Sequence, residues 1–377
     1  MKSIVSSNVG KSKRILSLIL SVICSMSVFV TLTACEKKEE SVTDFIVKVD
    51  ATRDARVLHI SDPQLSETIN AEEYCYRYIR QVVGRYDPDL IIVTGDLVYG
   101  KFDTDGSIFR DYIQFMETLN TPWAPVFGNH DNESEMGVDW QCQQLEKAKN
   151  CLFKQRELTG NGNYTVGIQQ GDRINRVFFM MDTNGCGSMG NESLDNGHTT
   201  AASGLQMDQK EWCKAEMARI KESYPEVKYS VAFHIQPYVF SYALDTYYDF
   251  ENRSYICNLD EREDAKARSD FGYIGANVKS PWDASNVAFY ELMECGVDSI
   301  FVGHEHLNSS SIMYEGVRLQ YGQKCSQYDR YNKMVDGKIV GDYTHAGQPI
   351  MGGTKIDLCK DSGKIKDAGL ILYDWTK

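Results

Sequence analysis

The chain reads as an α/β protein built around parallel strands, and two features of its sequence say so. Short apolar runs at 55–62, 89–96 and 123–131 alternate with helical periodicity at 71–86 and around 107–119. That is the βαβαβ order of a parallel sheet with right-handed crossovers. In addition, each run closes on polar residues: Asp62, Asp96, and the pair Asn129 and His130. Ligands of such sheets collect beyond the carboxyl ends of the strands.

Taken from the start, residues 1–34 combine Lys2, Lys11, Lys13 and Arg14 with an apolar run from Ile15 to Val30. A basic start before an apolar core is the pattern of an export signal. Leu32-Thr33-Ala34-Cys35 resembles the lipobox of bacterial lipoproteins, which implies cleavage before Cys35, lipidation of its thiol and attachment to the outside of the cell membrane. An uncleaved membrane helix is the other reading of the same run. The polar stretch 35–54 is then expected to be a tether, and 55–377 a single domain, since no linker interrupts the strands after residue 55.

Within that domain, "ARVLHISD" is a short buried strand and "AEEYCYRYIRQVVGRY" a helix with Tyr74, Tyr78 and Val82 along one face. "DLIIVTGD" is a second strand and "WAPVFGNHD" a third that runs into a polar loop. "NYTVGI" and "RVFFMMD" read as an antiparallel pair, 204–224 as an amphipathic helix, and "KYSVAFHIQP" as a strand ending at His234. The polar and aromatic stretch at about 238–282 is expected to be an insertion or lid over the strand ends. A helix at 284–295 leads into "VDSIFVGHEH", and "SIMYEG", "VRLQYG", "TKIDLCK" and "GLILYD" finish the chain as short strands.

Composition narrows the function classes. Beyond Cys35, 53 acidic residues face 36 basic ones, so a nucleic-acid partner, which needs a basic face, is not expected. Eleven cysteines with scattered spacing and no Cys-x-x-Cys suggest neither a zinc ribbon nor a disulfide scaffold. Cys142 and Cys151 could pair in an exported protein, but buried thiols are the simpler reading.

The polar strand ends gather four of the seven histidines: His130, His234, His304 and His306, with Asp62, Asp96 and Asn129. Carboxylates, imidazoles and an amide oxygen suit ions such as Mn, Fe or Zn. His304 and His306 are two apart, so in an extended segment both face one cluster while Glu305 points away, most simply as a surface charge. Gly95, Gly128 and Gly303 precede three of these residues and are expected to let the backbone turn sharply.

"SDPQ", "TGDLV", "GNHDN", "AFHIQP" and "GHEH", in this order, resemble the five blocks of the calcineurin-like metallophosphoesterase superfamily, and the layout is similar to its purple-acid-phosphatase-like branch. The resemblance implies a four-layer sandwich, two mixed β-sheets flanked by helices, around a dinuclear metal centre acting on a small phosphorylated substrate. Asp62 and His306 would hold one ion, Asp96 would bridge, Asn129, His234 and His304 would hold the other, and His130 would act on the leaving group. The implied ions are two divalent or mixed-valence metals. The chain departs from the superfamily at Gln64, where Asp-x-His is usual, so that only a neutral amide oxygen is offered. Tyr99, three residues after Asp96, matches a tyrosine that ligates ferric iron in purple acid phosphatases; packing at the rim is the alternative. The resemblance implies a phosphoesterase, with phosphodiester or nucleotide hydrolysis, or a catalytically silent binding role, as alternatives to phosphomonoester hydrolysis.

His59 is expected to be a satisfied or exposed strand histidine, and Asp182 a turn cap. His198 and His345 are expected in solvated loops, and Tyr328 and Arg330 as candidate substrate contacts.

Overall fold

Strand β3 (Leu90–Thr94, "LIIVT") is buried at every position, as a strand covered on both faces must be. It lies between β2 (Ala55–Ile60) and β4 (Trp123–Val126), parallel to both. The antiparallel pair β17 (Gly352–Leu358) and β18 (Ile365–Leu372) extends this into a mixed sheet of order β18-β17-β2-β3-β4. The structure, a computed structural model, describes residues 41–66, 72–184, 204–251, 257–275, 283, 285–326, 351–374 and 376, and the backbone of four short strands between 332 and 349. Cys35, the whole of 1–34, His198, Tyr328 and Arg330 lie outside the described residues, as does the side chain of His345.

A second mixed sheet has the order β1-β5-β6-β7-β10-β12-β11. Its strands are β1 (Phe45–Val49), β5 (Tyr164–Gln170), β6 (Arg173–Met180), β7 (Lys228–Ala232), β10 (Val297–Val302), β11 (Ser311–Tyr314) and β12 (Val317–Tyr321). As expected, β5 and β6 are antiparallel, while β6, β7, β10 and β12 run parallel. Three two-stranded ribbons complete the strands: β8 (Cys257–Asn258) with β9 (Tyr273–Ile274), β13 (Asn332–Val335) with β14 (Lys338–Gly341), and β15 (Thr344–His345) with β16 (Gln348–Pro349).

The sheets face one another across a shared core. Val57, Ile60 and Ile92 from one pack in the same cluster as Val166, Phe178, Ala232 and Phe301 from the other. Fully burying such side chains contributes roughly 1.5–3 kcal/mol each. Tyr164 spans the gap, its hydroxyl donating to Pro125 O at 2.6 Å.

Helices form the outer layers. Helix α1 (Glu72–Tyr86) lies on the five-stranded sheet, where Cys75, Ile79 and Val82 are buried, and α2 (Ser107–Thr118) packs with α3 (Val138–Lys147). On the seven-stranded sheet, α4 (Met207–Ser223) places Trp212 edge-on to Phe179 and accepts the Tyr229 hydroxyl at Met217 O, 2.7 Å. Helix α7 (Val287–Glu294) packs on β10 and is tied to α4 by Lys214–Glu291 at 2.8 Å. This is the four-layer arrangement that the resemblance implies.

Two expectations change. The polar tether does not extend to residue 54: Phe45–Val49 pairs in parallel with β5, and the compact unit runs from Thr43 to Lys377. Val47 and Val49 turn inward while Ile46 and Lys48 face outward, a period of two too short to stand out from the sequence. The 238–282 segment has secondary structure among its described residues. It carries α5 (Val239–Asp245), α6 (Glu263–Ala267) and the β8–β9 ribbon, and its 271–274 stretch bridges to 308–311. Among its described residues it therefore buttresses the loop bearing His304 and His306.

Candidate metal centre

Three loops of the five-stranded sheet bring Asp62, Asp96 and Asn129 together, and two of the seven-stranded sheet bring His234, His304 and His306. The close approach of these loops rests on glycine. A Cβ on Gly128 would stand 2.2 Å from Asp96 Oδ1, and one on Gly303 would stand 2.3 Å from Ser61 Oγ. Gly95 alone of the three has a left-handed backbone, with φ of 87°. At Gly128 and Gly303, then, the constraint is lack of space rather than a sharp turn.

Asp62, Gln64, Asp96 and His304 themselves take positive φ, at 51°, 44°, 53° and 71°. Such backbones cost about 1–3 kcal/mol each and persist where surrounding bonds over-determine them. Here those bonds are visible: Asp62 N–H donates to Gly95 O and Gln64 N–H to Asp96 O. His304 N–H donates to Asp62 Oδ1 at 3.3 Å.

Asn129 Oδ1 lies 2.9 Å from His304 Nδ1 and 3.1 Å from His234 Nε2. His234 Nε2 lies 3.4 Å from Asp96 Oδ2. Donors about 2.1 Å from one ion stand roughly 3.0–3.4 Å apart in octahedral or tetrahedral coordination. Asn129 Oδ1 stands near that spacing from both imidazoles, and Asp62, Asp96 and His234 offer ligand atoms within 4.8 Å of one another, so the residues fit an ion. His234 Nδ1 faces Thr94 O at 2.7 Å, the outer contact that orients a ligating imidazole. Burial pulls His234 down, but Asp96 outweighs it and pushes the imidazole up to about 10. Burial and the neighbouring His234 push His304 down to about 3. Asp96 is held well below the usual carboxylate range despite its burial, by His234 and His130. This cluster is built for positive charge.

Around the other half, His306 Nε2 approaches Asp62 Oδ1 at 3.4 Å, and Ser61 Oγ donates to Asp62 Oδ2 at 2.5 Å. Gln64 is turned the other way from the ligand expected of it. Its amide nitrogen, Nε2, donates to Asp96 Oδ2 at 2.9 Å, and its oxygen accepts from Lys324 Nζ at 2.9 Å. An ammonium only donates and a carboxylate only accepts, so these neighbours dictate the amide's orientation.

His130 stands beside the donors rather than among them. Its N–H donates to Asp96 Oδ1 at 2.8 Å, and its Nδ1 meets Glu133 Oε2 at 3.0 Å. The Tyr99 ring packs against this imidazole, centroids 4.0 Å apart, which agrees with packing at the rim.

Several residues escaped the sequence reading. Buried Asp131 accepts from Val98 N at 3.0 Å and Gly128 N at 2.8 Å, locking two site loops together. It ends the "GNHD" block, and its place there was the available signal. Lys324, in "YGQKCS", carried no local signal at all. His59 is fully buried and bonded, with Nε2 2.8 Å from Thr94 Oγ1 and Nδ1 3.0 Å from Gln320 Nε2. Asp182 caps turns as expected, accepting from Asn161 N and Asn184 N. Glu305 is not a surface charge: it is 6% exposed. The left-handed turn at His304 breaks the simple alternation, and the 271–274 stretch lies alongside the following residues. All eight described cysteines are free, including Cys142 and Cys151.

The chain is 23% identical over 272 residues to "Probable inactive purple acid phosphatase 29" of Arabidopsis thaliana, covering 65% of this chain and 61% of that one. It is 22% identical over 245 residues to "Phosphatase DCR2" of Saccharomyces cerevisiae, covering 64% and 40%. The chain thus spans less than two thirds of either relative. A dimetal phosphatase structure from Danio rerio superposes with a TM-score of 0.47 at 9% identity, covering 81% of this chain and 93% of that one. The profile of the calcineurin-like phosphoesterases matches residues 55–308, from β2 through both histidines of the "GHEH" loop, and the chain belongs to that family.

Proposed function

We propose that this chain is a metal-dependent phosphomonoesterase, with Asp62, Asp96, Asn129, His234, His304 and His306 as its ligands. The observation that carries this reading is the convergence of Asp62, Asp96 and His234 within 4.8 Å of one another, with Asn129 against both His234 and His304 and with His130 outside the donor set. Two divalent ions held there would supply Lewis acidity and lower the pKa of water.

The protein's own groups do the rest. Asp96 is anchored through one oxygen by the His130 N–H, which leaves Oδ2 directed at His234. The Glu133 carboxylate orients His130 through Nδ1, leaving Nε2 for the substrate. Water adds to phosphorus, the ester P–O bond breaks, and His130 gives its proton to the departing alkoxide. The products are an alcohol and inorganic phosphate.

Gln64 in place of the usual histidine favours a second reading, a metal-binding protein without turnover. One experiment separates them: hydrolysis of p-nitrophenyl phosphate, and of its bis-ester, with added Mn²⁺ or Fe²⁺. Wild type is expected to turn over the monoester faster, and His130→Ala to lose about 10²–10⁴-fold in rate with metal content unchanged. No hydrolysis by wild type, or equal rates in the variant, would reject the catalytic role of His130.

A further inference from the structure

Lys324 is 1% exposed, yet among the described residues its Nζ meets only neutral oxygens, Gln64 Oε1 at 2.9 Å and Asp62 O at 3.3 Å. Among the described residues it makes no ion pair. A buried ammonium without a carboxylate partner is costly. It is also held by backbone: Ser61 and Lys324 form a parallel bridge, Cys325 N–H donates to Ser61 O at 3.1 Å, and Ser326 Oγ donates to Asp62 O at 3.2 Å. The segment leaving β12 is therefore stitched along the Asp62 loop, and this delivers a fixed positive charge to one side of the site only.

Its effect falls on Gln64. With its oxygen engaged by Lys324, the amide presents N–H to Asp96 Oδ2. An N–H donor cannot ligate a cation, and it competes for Asp96 Oδ2, the oxygen that faces His234. The side of Asp62 and His306 is left with fewer donors and a nearby cation, while Asn129 stands against both His234 and His304 on the other side. We propose that Lys324 is a positioning residue that locks Gln64 out of coordination, so that the two metal positions differ widely in affinity and the chain carries one ion when metal is limiting. The inference rests on the metal-dependent reading above, but it concerns binding and not turnover.

The test is titration of the metal-stripped full chain with Mn²⁺ alone, followed by calorimetry and by electron paramagnetic resonance, where two neighbouring Mn²⁺ ions give a coupled signal. Wild type should take up one ion about 10–100-fold more tightly than the second, the scale on which outer contacts act on metals. Lys324→Met should release the Gln64 oxygen and tighten the weaker ion by about tenfold, Lys324→Arg should keep the gap, and Gln64→His should close it. Retention of the tight ion in each variant reports an intact fold. If Lys324→Met loses that ion, Lys324→Arg and Gln64→His decide. Equal affinities in wild type, or an unchanged gap in a folded Lys324→Met or in Gln64→His, would overturn the proposal. Unequal binding without any hydrolysis would sustain it while removing the phosphoesterase reading, and failure to bind Mn²⁺ at all would remove both.

Discussion

The two sheets contribute opposite chemistry to one site. The five-stranded sheet supplies every oxygen donor, Asp62, Asp96 and Asn129, from the ends of β2, β3 and β4. The seven-stranded sheet supplies every imidazole, His234, His304 and His306, from the ends of β7 and β10, and Lys324 beyond β12. Neither half alone makes a cation site. The acids alone would repel one another, and the histidines alone would be buried bases without a counter-charge. The pairing explains why Asp96 pushes the His234 imidazole upward and why the joints between sheets are polar. Besides His234 on Thr94 O, a chain of hydrogen bonds runs from Gln320 through His59, Thr94 and Ser61 to Asp62.

The largest effect should come from emptying the oxygen half at its centre. Asp96→Asn removes the carboxylate that faces His234, and hydrolysis should fall at least ~10³-fold, about 4 kcal/mol of barrier, with loss of bound metal measured by elemental analysis. Metal content at the wild-type level would mean that the two halves assemble an ion site without it.

A smaller effect is expected at the joint. Burial pushes His59 down to about 3, so the native imidazole stays neutral where the unfolded one, near 6.5, takes a proton. A depressed base contributes stability that is fully present above pH ~6.5 and is lost as pH falls toward ~3, at about 1.4 kcal/mol per unit. His59→Gln should therefore be less stable than wild type by about 1–3 kcal/mol at neutral pH. The difference should shrink on acidification in urea unfolding series. A difference that stays constant from pH 7 to pH 4 would show that His59 is not held neutral.

The smallest change concerns Tyr99, at the edge of the oxygen half. If its phenolate ligates ferric iron, the iron-loaded protein shows a visible charge-transfer band that Tyr99→Phe abolishes. A colourless wild type with bound ferric iron leaves the ring as packing for His130.

Much of this was legible from local pattern. The strands carrying Asp62, Asp96, Asn129, His234 and His304 have apolar runs ended by polar residues, and their helices have clear periodicity. Strand β1 was missed because five residues with two inward valines resemble any polar tether. Glu305 was misplaced because alternation assumes an extended chain, and His304 is left-handed. Gln64 was expected to offer an oxygen because its type permits it, whereas its neighbours dictate which end of the amide faces the site.

The sequence by itself determined the kinds of donor and their order along the chain, because hydrogen-bonding and ligand chemistry belong to residue type and strand ends follow from hydrophobic pattern. Only the tertiary structure decided which donors share an ion, how His59 joins the sheets and that Lys324 reaches Gln64. Those are contacts across 260 positions of chain in the Lys324–Gln64 case, set by how two sheets pack, and no local pattern encodes a distance between residues that far apart.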